Sequence, residues 1–191
     1  MGFGLGYAGR DRTGAGAPLT HLVKAVVSLM ERRGPAPRVA PPRVGADLVL
    51  RDYARIPLDL YRHLYDAVGR PHHWTSRLLP DAALSAQIHA PGMAVFVLEA
   101  DGRPVGWFEL EASRQGRRTR IVHFGIMPEF RGQGFARHLL ARAIEAALAT
   151  GAEVVTLETN SLDHPAALPL YTEAGFVCVD KRFVATPAIE D

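Results

Sequence analysis

The 191-residue sequence predicts an α/β fold built on one mixed sheet, and three observations carry that reading. Hydrophobic residues make up 48% and charged residues 22%, enough apolar side chain to offset chain entropy in a packed core. The runs Met93–Glu99 and Val105–Leu110 flank Asp101-Gly102, the pattern of two strands around a tight hairpin turn. Downstream the apolar period switches between two and 3.6, so strand, helix, strand, helix and strand follow an antiparallel meander.

Taken in order, residues 1–18 hold Gly2, Gly4, Gly6, Gly9, Gly14 and Gly16 and read as a loose tail. Leu19, Leu22, Val23, Val26, Val27 and Met30 recur at helical spacing, with the paired valines leaving a strand as the alternative. Pro35, Pro37, Pro41 and Pro42 predict an extended linker. Residues 1–45 are thus expected to form a flexible basic segment with one short helix or strand. The folded domain is expected over 46–185 and a tail over 186–191. Within it, Asp47–Arg51 alternates as a strand and Leu58–Val68 reads as a helix stopped by Gly69. Arg120–Met127 is the third strand of the meander. Phe135, Leu139, Leu140, Ala143, Ile144, Ala147 and Leu148 share one face of a helix that Gly151 ends. Glu153–Glu158 is the next strand, Pro165–Ala174 a short helix and Phe176–Val179 a closing strand. Pro169 lacks an amide, so it should kink that helix or postpone its regular part.

Composition excludes several classes. The longest apolar stretch near the N-terminus is interrupted by His21 and Lys24, short of the roughly 20 residues a membrane span needs. No cleavable signal is evident, and the single Cys178 allows neither an internal disulfide nor a thiolate metal cluster. A reducing, cytoplasmic setting is expected. His63, His72 and His73 lack carboxylate or thiolate support at ligand spacing, so no metal is expected. Residues 1–45 carry seven Lys or Arg against two acids, a net of +5, and the remainder carries −3. The arginines are scattered rather than striped, which argues against a nucleic-acid surface, although a basic N-terminal arm on a scaffold domain is a rival reading.

Chemistry points to Pro128–Arg137. Gly132 and Gly134 permit a tight turn, and small Ala136 opens the helix whose first amides lack internal acceptors and attract an anion, phosphate above all. No Gly-Lys-Ser/Thr follows, and Arg137 stands where a third dinucleotide-binding glycine belongs.

Arg131-Gly132-Gln133-Gly134-Phe135-Ala136 resembles the pyrophosphate loop of the GNAT superfamily of acetyl-CoA-dependent N-acetyltransferases. Phe124-Gly125-Ile126-Met127-Pro128 resembles that family's strand into the loop. Ala167, Leu170, Tyr171, Gly175 and Phe176 match its closing pattern, so three motifs lie in register over 120–177. The resemblance implies acetyl-CoA as co-substrate, with the amides of Arg131, Gly132, Gln133, Gly134, Phe135 and Ala136 around its pyrophosphate. It further implies that the backbone of Phe124 and Ile126 pairs with the pantetheine arm, and that the Ile126 amide polarises the thioester carbonyl. Gly125 would ease the splay of the strands there. An amine attacks directly, and Tyr171 donates to the departing thiolate. His164 stands where many members carry an Asn that touches CoA, or else it caps the following helix.

Arg120 replaces the Glu that many members use as base, and a guanidinium stays protonated. Glu109 is the replacement candidate, with burial expected to raise its pKa, and His123 is the next. Tyr61, Tyr65, His72, His73 and Trp74 mark the region where the acceptor should arrive. The acceptor is a small-molecule or peptide amine, and the protein a monomer or homodimer. A module of the same fold that binds acyl-CoA without catalysis is the rival in function.

Overall fold

The structure, a computed structural model, describes residues 21–42, 45–113 and 117–189. Among these, the strands are β1 (Leu22–Arg33), β2 (Leu48–Tyr53), β3 (Met93–Ala100), β4 (Arg103–Ala112), β5 (Arg118–Ile126), β6 (Val154–Asn160) and β7 (Val177–Pro187). They form one mixed sheet in the order β2-β3-β4-β5-β6-β1-β7, with β5 and β6 parallel and the other neighbours antiparallel. The expected β3–β4 hairpin closes through Asp101 and Gly102, both at positive φ, as a two-residue turn requires.

Side-chain alternation gives the sheet two buried faces. Trp107, Val95 and Val97 point toward helices α1 (Leu58–Gly69) and α2 (Asp81–Ile88), packing with Leu64, Leu84 and Ile88. Phe108, Leu110, Met30 and Leu157 point the other way, toward helices α3 (Phe135–Ala149) and α4 (Ala167–Glu173), where they meet Leu139, Leu140, Ile144 and Tyr171. Pro169 falls in the first turn of α4, where amides have no intrahelical partner, so the proline postpones the helix to Ala167 without kinking it.

The N-terminal reading needs correction. Of the stretch from Leu19 to Met30, Leu19 and Thr20 lie outside the described residues and Leu22–Met30 is strand, not helix. That strand is not an appendage: β1 lies inside the sheet, pairing through Val27–Arg33 with β6 and through Leu22–Glu31 with β7. A helix would bury one stripe and leave the backbone edges of both neighbours unpaired, whereas a valine-rich strand satisfies both. Arg32, largely buried, ties the end of β1 to the end of α4 by donating from Nε to the Ala174 carbonyl (2.7 Å) and from its other nitrogens to Gly34 (2.8 Å) and Pro35 carbonyls. The folded sheet therefore includes residues well before 46, from Leu22 onward, and β7 runs to Pro187, past the expected start of the tail. Leu22–Arg33 is therefore no part of a freely reaching basic arm, and residues 1–20 of that expectation lie outside the described residues. Beyond the strand, the proline linker runs back over the opposite core, bringing Pro42 to 3.6 Å from where a Cβ on Gly134 would sit.

Gly125 has a different reason from the one expected. A Cβ there would lie 2.3 Å from Val68 Cγ1, so the glycine lets α1 approach β5. Gly125→Ala is expected to destabilise the fold by about 1–3 kcal/mol, the usual range for overpacking. Adding Val68→Ala should recover part of it, as read from urea midpoints. No helix among the described residues is long and apolar enough to cross a membrane.

Candidate active site

β4 and β5 set Glu109 directly opposite His123, next to a bulge in which Val122 is the extra residue. Both side chains face α1. Glu109 is fully buried, and every oxygen is engaged: Oε2 accepts from His123 Nδ1 (2.6 Å) and the Tyr61 hydroxyl (2.9 Å), Oε1 from Arg77 Nη2 (2.8 Å). Arg77 also donates to the Tyr61 hydroxyl (3.2 Å) and to Gln87 Oε1 (2.9 Å).

The expectation that burial would raise the Glu109 pKa is reversed. Burial does push the carboxyl up, but the hydrogen bonds and charges of His123 and Arg77 outweigh it and hold the carboxyl at about 2. Burial, ahead of the opposing pull of Glu109, lowers the His123 pKa below its ordinary 6.5, so its ring is neutral at pH 7. With the carboxylate on Nδ1, the proton resides there and Nε2 keeps its lone pair, which accepts from Ser76 Oγ (3.1 Å). The ring lies among Trp107 (stacked, centroids 5.9 Å), Trp74 (5.2 Å) and Tyr65 (edge-on, 5.3 Å).

The parallel pairing of β5 with β6 stops at Ile121 and Leu157, although β5 continues to Ile126 and β6 to Asn160. A wedge-shaped opening results. On the α4 side it meets Tyr171, whose ring is 6.2 Å from Phe124 and 6.2 Å from Phe176, edge-on to both. Burial first, then the negative field of Asp163, pushes the Tyr171 phenol above its usual pKa. Asp163 accepts from Thr159 Oγ1 (2.8 Å), the Asn160 amide (2.9 Å) and Trp74 Nε1 (3.0 Å). With His72 Nδ1 donating to the Leu162 carbonyl (2.8 Å), it ties the loop after α1 to the loop after β6.

At the far end of β5, Gly132 (φ +76°) and Gly134 (φ +86°) turn the chain so that Gly134 caps α3. A Cβ on Gly132 would meet nothing within 4 Å, so this stretch of backbone is open to a ligand. Gln133 donates to the Glu129 carbonyl (3.0 Å), and Arg131 reaches back to the Ile126 carbonyl (3.4 Å). Phe135 is buried, which leaves only its amide for a bound anion, and Ala136 is half-buried beside it. His164 Nδ1 accepts from the Ala166 amide (3.2 Å), a local cap on the turn into α4.

Of the aromatic acceptor patch, Tyr61 is fully buried as a partner of Glu109, and Tyr65 and Trp74 pack against His123, while His73 Nδ1 accepts from the Ile189 amide (2.9 Å). Arg120, opposite Glu111 on the same sheet face, pairs with Glu158 (3.3 Å), itself held bidentately by Arg182, so it takes no part in the hydrogen bonds of Glu109 and His123. Sequence reasoning missed Ser76 and Arg77: they sit in a loop with no motif, and only the fold brings them to β4 and β5. Helix α2 was missed too, being eight residues long with no side-chain cap. No group of three or more His, Cys, Asp or Glu among the described residues could hold a metal.

A mixed sheet splayed between two parallel strands, with a glycine-turned helix N-terminus at its mouth, is the architecture of the GNAT acyltransferase fold. Residues 58–176 match the Acetyltransferase (GNAT) family, well over half of the chain, and the protein belongs to that family. Strands β1 and β2, and all of β7, fall outside the matched residues. Among curated proteins, the N-alpha-acetyltransferase MAK3 of Arabidopsis thaliana is 39% identical over 64 residues, 34% of this chain and 33% of that one. A GCN5-related N-acetyltransferase from Sphaerobacter thermophilus superposes with a TM-score of 0.59 at 21% identity, covering 84% of this chain and 50% of the other. One from Kribbella flavida gives 0.59 at 17%, covering 87% and 60%. The chain thus spans a third to three fifths of these relatives, and the structural likeness establishes the fold.

Proposed function

We propose that the protein transfers the acetyl group of acetyl-CoA to a primary amine by direct attack in a ternary complex. The observation that carries this reading is the β5–β6 opening, with Tyr171 on its α4 side, the His123–Glu109 pair on its α1 side and the open glycine loop at its end. The backbone amides from Arg131 to Ala136 suit a pyrophosphate, and the unpaired end of β5 at Phe124 and Ile126 suits the pantetheine arm as an added strand. A donor amide at Ile126 would polarise the thioester carbonyl as charge grows there.

The amine must lose a proton as its nitrogen bonds the carbonyl carbon and the C–S bond breaks. Glu109 is a poor acceptor, being enclosed, fully hydrogen-bonded and held at about 2. His123 takes that role: it is neutral at pH 7, and the adjacent carboxylate fixes its tautomer and stabilises the imidazolium that forms. Glu109 and Arg77 are positioning residues, and Tyr171 donates a hydrogen bond to the departing thiolate. The cap made by His164 accounts for its position without a contact to CoA.

The test is Gly134→Asp beside Gly134→Asn. Both place a side chain at φ +86°, which Asn tolerates better than most residues, but only Asp sets a negative charge where the pyrophosphate would lie. Acetyl-CoA binding to the Asp variant should weaken at least about tenfold, about 1.4 kcal/mol, and more than to the Asn variant. Equal, wild-type affinity in both folded variants would refute the site. Release of free thiol across a panel of amines then identifies the acceptor class.

A further inference from the structure

We infer that Ser76 is a catalytic residue, the relay through which the acceptor's proton reaches His123. The inference rests on the proposed role of His123 and adds a residue that neither the family motifs nor the sequence pattern mark.

Both nitrogens of the imidazole are occupied, Nδ1 by Glu109 and Nε2 by Ser76 Oγ. The ring is packed among Trp107, Trp74 and Tyr65, so its surroundings there are aromatic. His123 is 8% exposed whereas Ser76 is solvent-exposed, and among the described residues Ser76 Oγ is the polar atom that joins Nε2 to the outside. The hydrogen bonds run in one direction. The Arg77 amide donates to the Tyr65 hydroxyl (3.2 Å), and Tyr65 lies 3.3 Å from Ser76 Oγ, placed to donate in turn. Ser76 donates to His123 Nε2, and Nδ1–H donates to Glu109. A hydroxyl in that position can accept the amine's proton on oxygen while passing its own to Nε2.

The balance is then complete. The amine nitrogen bonds the carbonyl carbon, the C–S bond breaks, the amine's proton ends on Ser76 oxygen, and the former Ser76 proton ends on Nε2. The imidazolium lies against the Glu109 carboxylate, whose charge offsets the cost of burying it, and is stacked on Trp107. After product leaves, the proton returns through Ser76 to water. The charged groups that set the titration of His123 are Glu109 on β4, Arg77 on the loop before α2 and Arg120 on β5, while from α1 Tyr65 packs edge-on against the ring and Tyr61 donates to Glu109.

The experiment compares Ser76→Ala, Ser76→Thr and His123→Gln for kcat, acetyl-CoA affinity, melting temperature and the pH dependence of kcat. Ser76→Ala should lower kcat by about 10²-fold, the lower end for a lost proton-transfer group, with acetyl-CoA affinity and melting unchanged. Its acidic limb should persist, since His123 still titrates, and that limb should vanish in His123→Gln. Ser76→Thr keeps the hydroxyl and should restore most of the rate. Wild-type kcat in Ser76→Ala beside a slow His123→Gln overturns the relay while leaving the base in place. A threonine variant as slow as alanine also overturns it. Wild-type turnover in both Ser76→Ala and His123→Gln removes the base assignment, and the relay with it.

Discussion

Glu109→Gln is expected to cost about 3–5 kcal/mol of stability, the range for breaking a buried ion pair, and to lower turnover by about 10²–10⁴-fold. The carboxylate accepts from three donors, whereas a primary amide brings one oxygen and two N–H groups of its own. Its N–H groups must then face either Arg77 or the His123 and Tyr61 donors, and in both cases the guanidinium is left without its buried counter-charge. His123 also loses the carboxylate that holds its proton on Nδ1, so the Nε2 lone pair that the proposed base role needs is no longer enforced. The sign of the pH effect follows from the carboxyl's depression from 4.5 to about 2. Its contribution to stability is fully present above 4.5 and is lost as pH falls toward 2. His123, held below 6.5, adds a further loss as pH falls below 6.5, because only the unfolded chain binds that proton readily. The wild type should therefore lose stability steeply between pH 4.5 and 2, and the variant much less so. Urea midpoints at pH 7 and across that acid range decide the matter; coincident curves for the two proteins would rule out the buried pair as described.

Tyr171→Phe is expected to reduce kcat by about 10²-fold or more with little change in acetyl-CoA affinity. The phenol is held above its usual pKa by burial and by Asp163, while a CoA-type thiol titrates near 8.5, so complete proton transfer to the thiolate runs uphill. A hydrogen bond that strengthens as the sulfur gains charge has no such obstacle. Phenylalanine keeps the edge-on contacts with Phe124 and Phe176, so melting should move little. An acyl aryl thioester, with a better leaving group, should partly rescue the variant. Normal turnover combined with earlier melting would make the phenol a packing residue.

How far these features could be read in advance depended on how local their causes are. The Asp101-Gly102 hairpin, the glycine turn before α3 and the apolar face of α3 are decided within a few residues, and each stands where expected. Leu22–Met30 is different. Its apolar positions satisfy both a helical stripe and a two-sided strand, and the choice is made by the open edges of β6 and β7, more than a hundred residues away. The direction of the Glu109 shift was equally hidden, since burial alone argues upward and the opposing partners are His123 on the next strand and Arg77 on a loop without signature. Glu109 and His123 could be named as acid and imidazole; their division of labour needed the distances.

The position of β1 imposes an order of events on the newly made chain. Its partner β6 follows about 130 residues later, and β7 later still. At about 5–20 residues per second of synthesis, the strand waits on the order of 10 s before either neighbour exists. During that interval the ladder from β2 to β5 can assemble from contiguous sequence, but the half of the sheet beside α4 and Tyr171 cannot. The proposed site is therefore completed last, when β6 and β7 close on the two edges of β1, and a nascent chain halted before α4 would hold the glycine loop and His123 with no phenol to complete them.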